Sequence, residues 1–197
     1  MLGKPVLLLG INHHNEWNDY MNLMQIYFEL SENKSNEYYI ELSKNEVMFL
    51  PAVIEIAQDG SYSERKRAAD LLEAISETQP YQFAIFAQYI IKAIAKHNDF
   101  SSWCLWKSVE KVFDLLDVSL VEDEFLKALN SNILGEFSIA CDCIENFISS
   151  YPKCRNKISD ILQNIKYRDF MIDGEVSEIC GKIAVEKALN NLSKMEK

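Results

Sequence analysis

Six glycines and four prolines in 197 residues leave this chain poor in turn formers. Sheets of many short strands need frequent tight turns, so the scarcity excludes a many-stranded β architecture and favours helices. Basic residues are also short, with 20 Lys and Arg against 30 Asp and Glu and a formal charge of −10. Phosphate binding needs clustered Lys and Arg, so the balance argues against nucleic acid, and the same repulsion argues against anionic membrane surfaces. A basic protein is the natural electrostatic complement. No segment approaches the roughly eighteen continuous apolar residues of a membrane span. The apolar run at 6–11 is too short for one, and Asn12-His13-His14-Asn15 follows it in place of a small-residue cleavage site. A cytoplasmic location is expected, with residues 1–11 as a short strand or an arm.

Chemistry-bearing patterns are missing too. The five cysteines are odd in number and widely spaced, which is not a disulfide framework. Cys141 and Cys143 are two apart, and on a helix that places them about 200° apart, so they do not share a metal. Cys141 instead falls on an apolar stripe and reads as a small core residue. His13-His14 lies beside Glu16, but adjacent histidines diverge and no third histidine is near. There is no phosphate-binding loop, no nucleophile elbow and no His-Glu-x-x-His helix. The sequence therefore predicts no metal, no cofactor and no catalysis.

What is present is helical periodicity from residue 15 almost to the end. Phe83, Phe86, Ala87, Ile90, Ile91 and Ile94 recur at the spacing of one helix face, as do Ala68, Leu71, Leu72 and Ile75. Phe137, Ala140, Cys141, Ile144 and Ile148 follow the same rule, then Ile158, Ile161, Leu162 and Ile165, then Val176, Ile179, Cys180 and Ile183. Caps and breakers place helices at 15–31, 36–43, 46–58, 63–77, 80–97, 102–117, 119–130, 135–150, 152–165 and 174–194, with Ser63 as an N-cap and Gly174 opening the last. His97 falls at a helix end, where the dipole favours a cation. The helices pair into hairpins whose second members begin near Ser63, Ser101, Gly135 and Gly174, a nearly constant step of the size seen in stacked helical repeats. A plain helical bundle is the other arrangement these lengths allow.

The segments LPAVIEIAQD at 50–59 and SERKRAADLLEAI at 63–75 resemble a HEAT repeat, with proline in the first helix and a basic residue before the small and aliphatic stripe of the second. The likeness is best over 46–78. It implies an all-α fold, a right-handed stack of antiparallel helical hairpins. One helical-repeat domain would cover 1–197, with a capping segment at 1–45 and hairpins at 46–78, 79–117, 118–150 and 151–194.

Two features stand above this background. Between Glu110 and Glu145 lie nine acids and two lysines, while the residues after Tyr151 are slightly basic. An acidic block in one region makes a local field. Beside it, Phe100, Trp103 and Trp106 open the helix that ends in Asp114 and Asp117. Trp106 keeps step with Val109, Phe113 and Leu116 and reads as core, whereas Trp103 is off the stripe and reads as a binding anchor. The expected partner-binding set is Trp103, Asp114, Asp117, Glu122, Asp123 and Glu124. In size, charge and helical class the chain is similar to immunity proteins that neutralise antibacterial toxins, which implies a basic, nuclease-like toxin domain as partner. The alternative is a HEAT-like scaffold holding a peptide or a folded protein. DNA glycosylases of related helical architecture need a basic concave surface, which this chain lacks.

Overall fold

The computed structural model describes residues 23–32, 34–165, 170–172 and 175–194. The expected strand or arm at 1–11, His13-His14, Trp17 and Tyr20 lie outside the described residues. The fold is all-α with almost no strand. After α1 (Leu23–Ser31) and α2 (Asn36–Asn45) come α3 (Phe49–Asp59) and α4 (Tyr62–Thr78), joined by a short turn at Gly60 and Ser61. The N-cap of α4 is Ser61 rather than the expected Ser63, because Glu64 reaches back to accept the Ser61 N–H at 2.7 Å and closes a capping box.

The expected helix at 80–97 is two segments, α5 (Pro80–Ala84) and α6 (Ala87–Lys96). The expected helix at 102–117 likewise divides into α7 (Phe100–Trp103), α8 (Leu105–Glu110) and a 3-10 turn at Phe113–Leu115. Residues 118–129 form α9 (Val118–Leu129), and 134–150 form α10 (Leu134–Asp142) and α11 (Ile144–Ser150). The breaks carry hydrogen bonds three residues apart, from Phe86 N–H to the Phe83 carbonyl, Lys107 to Cys104 and Cys143 to Ala140. These are local tightenings to 3-10 geometry, with no proline or glycine in the sequence to announce them. A 3-10 turn at Pro152–Cys154 then leads into α12 (Arg155–Ile165).

The region expected as one helix from Gly174 instead holds a strand pair before the last helix. β1 (Phe170–Ile172) pairs antiparallel with β2 (Glu175–Ser177), and α13 (Glu178–Lys194) follows. Met171 also bridges Ile133, and its N–H donates to the Asn132 carbonyl at 2.8 Å. The hairpin is thereby tied to the start of α10, and Phe170 is buried against Phe137 with ring centroids 4.8 Å apart.

Polar cross-links show how the helices lie. Arg65, near the start of α4, pairs with Asp99 before α7, and Glu77, near the end of α4, pairs with Lys111 after α8. Start meets start and end meets end, so α4 runs parallel to the α7–α8 pair. In the same way Gln58 at the end of α3 takes His97 Nε2 on its carbonyl at 2.7 Å, and Asp59 pairs with Lys96 at the end of α6. Among the described residues, every side-chain hydrogen bond that spans more than ten residues spans from 28, as in Arg67 to Tyr39, to 45, as in Lys187 to Asp142.

Candidate functional site

The acidic block begins where an aromatic cluster holds the chain. Trp106, Phe113, Phe125 and Phe147 are all buried, and Tyr151 is nearly so. Phe125 and Phe147 stack with centroids 4.0 Å apart, Trp106 sits edge-on to Phe125 at 5.3 Å, and Phe113 sits edge-on to Phe147 at 5.3 Å. Trp106 is therefore core, as its spacing indicates. The Tyr151 hydroxyl donates towards the Phe113 carbonyl at 2.5 Å and lies 3.1 Å from the Leu116 carbonyl, which fixes the 3-10 turn over the cluster. Burial, then the charges of Asp117 and Asp114, push the Tyr151 phenol up to about 12.

With Phe113 inward, the same turn leaves Asp114 and Leu115 exposed. Asp117 is the N-cap of α9, where Oδ1 accepts the Ser119 N–H at 2.8 Å and the Ser119 hydroxyl at 2.6 Å. Those two bonds hold its carboxyl below the usual carboxylate range. Along α9, Val121, Phe125, Ala128 and Leu129 face the core. The opposite face carries Leu120, which is 45% exposed, with Asp123 and Glu124 one turn further on. An apolar side chain thus sits between two carboxylates on an outward helix face.

The other acids are more committed than their number in the sequence implies. Glu122 pairs with Lys157 of α12, whose ammonium holds the carboxyl below its ordinary value, and Glu124 pairs with Lys127. Asp142 pairs with Lys187 of α13 at 3.1 Å. Glu110 accepts from Asn146 Nδ2 at 2.6 Å and from the Cys143 thiol at 3.4 Å. Glu136 is half-buried, and burial followed by the nearby Glu124 pushes its carboxyl up. Asp114 and Asp123 make no hydrogen bond or ion pair among the described residues. The slightly basic C-terminal region supplies Lys157 and Lys187, which leaves Asp114 and Asp123 near the start of α9, and Glu145 on α11, as the acids of the block without a side-chain partner among the described residues.

Beside that point lies an open groove of about 490 Å³, lined by Val118, Glu122, Tyr151, Pro152, Cys154 and Lys157 among others. Burial and then Glu122 push the Cys154 thiol up, which disfavours its thiolate. Burial and then Glu110 do the same to Cys143, and no group of three or more His, Cys, Asp or Glu among the described residues is placed to hold a metal.

Trp103 occupies a different position from the five acids it was grouped with. Its ring lies against Gly135 of α10, where a Cβ would fall 2.6 Å from Cζ3, and its Nε1 is buried without a hydrogen-bond partner. The ring is used between α7 and α10, and only a glycine permits so close an approach. The exposed apolar side chains beside the acids are Leu115 and Leu120, which sequence reasoning passed over. The signal was available for Leu120, which is out of step with Val121, Phe125 and Ala128. Comparisons of the chain with protein-family models, with curated proteins and with solved structures find no match.

Proposed function

We propose that this chain is a non-catalytic, HEAT-like stack of helical hairpins that inhibits a basic protein, in the manner of an immunity protein blocking a nuclease-like toxin. What supports the stack is the uniform span of its polar cross-links, since units about 35 residues long that touch only their neighbours give that pattern. What supports the inhibitor is one observation around the start of α9: the exposed Leu115 and Leu120 lie beside Asp114 and Asp123, which make no hydrogen bond or ion pair among the described residues. Charges of this kind steer an oppositely charged partner and raise its association rate, while a few apolar side chains at the centre hold the complex. The binding set in this reading is Asp114, Asp117, Glu122, Asp123 and Glu124 with Leu115 and Leu120.

The test is capture from lysate at low and then physiological salt, followed by association kinetics on the recovered protein. One basic partner in near-equal amount is expected, with a nuclease activity that this chain suppresses. Asp114→Lys with Asp123→Lys should slow association by about tenfold and flatten its salt dependence, because rim charges act mainly on the on-rate. Unchanged kinetics in that double variant would remove the acidic face from the mechanism.

A scaffold reading has one observation of its own. Tyr81, Ile85 and Tyr89 recur every fourth residue on α5–α6 and are 77%, 71% and 44% exposed. A partner lost on Ile85→Ser but retained in the charge-reversal variant would favour that alternative.

A further inference from the structure

The first turns of α4 hold two arginines two residues apart with very different surroundings. Arg65 is fully engaged: it pairs with Asp99, donates to the Gly60 carbonyl at 2.8 Å and reaches Ser101 at 3.3 Å. Arg67 donates once, from Nη2 to the Tyr39 hydroxyl at 2.8 Å, and its guanidinium lies 5.4 Å from the Tyr39 ring centre. Tyr39 is buried, and its hydroxyl also donates to the Glu29 carbonyl at 2.9 Å and accepts the Lys34 N–H at 3.1 Å. Arg67 is thus held in place by a saturated neutral group. Among the described residues no carboxylate lies within ion-pair distance of it. A guanidinium has five N–H donors, so most of its capacity is unspent.

Arg67 lines a cavity of about 220 Å³ between α1, α3 and α4. Tyr27, Leu30, Ile56 and Ala68 give it apolar walls, and Ser63 and Glu64 complete it on the α4 side. Ile26 and Leu30 are buried and anchor α1. Glu64 accepts the Ser61 N–H on Oε2 at 2.7 Å, and its exposed carboxylate makes no ion pair among the described residues. Glu64 and Arg67 are neighbours one helical turn apart, yet they do not bond to each other. The cavity therefore has an anionic pole, a cationic pole and an apolar body.

We propose that this cavity binds a free apolar α-amino acid, its carboxylate on Arg67, its ammonium on Glu64 and its side chain among Tyr27, Leu30, Ile56 and Ala68. The volume matches about seven waters at roughly 30 Å³ each, which suits an occupant the size of a single amino acid. A phosphate or other dianion would meet Glu64 with one arginine in compensation. Burial and then Glu55, Glu64 and Asp59 push the Tyr27 phenol up, so the potential on that side favours an ammonium. The site is on the α1–α3–α4 unit, away from the start of α9, and does not depend on the inhibitor reading.

The experiment titrates the full chain with L-leucine to roughly 10 mM, following amide shifts, beside isovalerate and isoamylamine, which each keep one charged end. Expected are saturable shifts at Tyr27, Ala68 and Arg67 with leucine, and at least about tenfold weaker binding of either analogue. Arg67→Gln and Glu64→Gln should each weaken leucine by a similar factor, the latter with its helix cap kept because glutamine also serves a capping box. No saturable shift with leucine, or equal binding of isovalerate, overturns the proposal on the unaltered protein even if Arg67→Gln does not fold.

Discussion

Replacing Tyr151 by Phe removes one oxygen atom and tests whether the acidic turn is held from below. The hydroxyl serves the Phe113 and Leu116 carbonyls. Phe113 keeps the Leu116 N–H at 3.1 Å, so its carbonyl is not stranded, and the larger loss falls on Leu116. One lost bond at about 1 kcal/mol plus partial desolvation of a carbonyl gives about 1.5–2.5 kcal/mol. For a chain of this length that lowers Tm by roughly 3–10 °C in a thermal melt at neutral pH. The pH dependence adds a second check. Folding raises the phenol to about 12, against about 10 in the unfolded chain. The stability this group contributes is fully present below pH about 10 and is lost as pH rises towards 12, since the unfolded chain releases the proton first. Tyr151→Phe has no such proton, so the gap between the two proteins should narrow across that window. A variant as stable as the parent at neutral pH, or a gap that stays constant from pH 10 to 12, would refute this account of the turn.

Gly135→Ala should cost about 1–2 kcal/mol and shift the tryptophan emission, because overpacking against Trp103 exceeds the roughly 1 kcal/mol that alanine gains in a helix. An equally stable variant with unchanged emission would show that the ring has room to move. Arg65→Met should lower stability in urea by about 1.5–3 kcal/mol, since Asp99 is partly screened and keeps its Ser101 and Ser102 hydrogen bonds. A change below about 0.5 kcal/mol would mean that this link between α4 and α7 is idle. Asp114→Lys should leave stability within about 0.5 kcal/mol, as expected for an exposed side chain without a partner, and a larger loss would assign it a structural role.

Helix content and the core stripes were readable because the apolar spacing is long and regular, as with Ile90, Ile91 and Ile94, all buried. The strand pair was not, for three residues are too few to show a period of two. In the sequence, Asp173-Gly174 is as good a hairpin signal as a helix start. The breaks at Cys104 and Cys143 left no composition signal either. At the candidate site, the exposure of Asp114 and Asp123 follows from their place off the stripe. The ion pairs of Glu122 and Asp142 depend on lysines 35 and 45 residues away, which spacing within one helix cannot reveal. The packing of Trp103 was hidden for the same reason, since the residue its ring lies against is a glycine on another helix.

The narrow span of the cross-links bears on how the chain comes apart. Bonds from Arg65 to Asp99, from Asn146 to Glu110 and from Arg155 to the Leu192 carbonyl each join a segment to its near neighbour. If the helices form the stack proposed above, opening starts at either end and advances one unit at a time. Amide protection should grade from low in α1 and α13 to high in α4 and α9. Residues near the middle would report on global unfolding, while substitutions in the outer helices would mainly lengthen the frayed end.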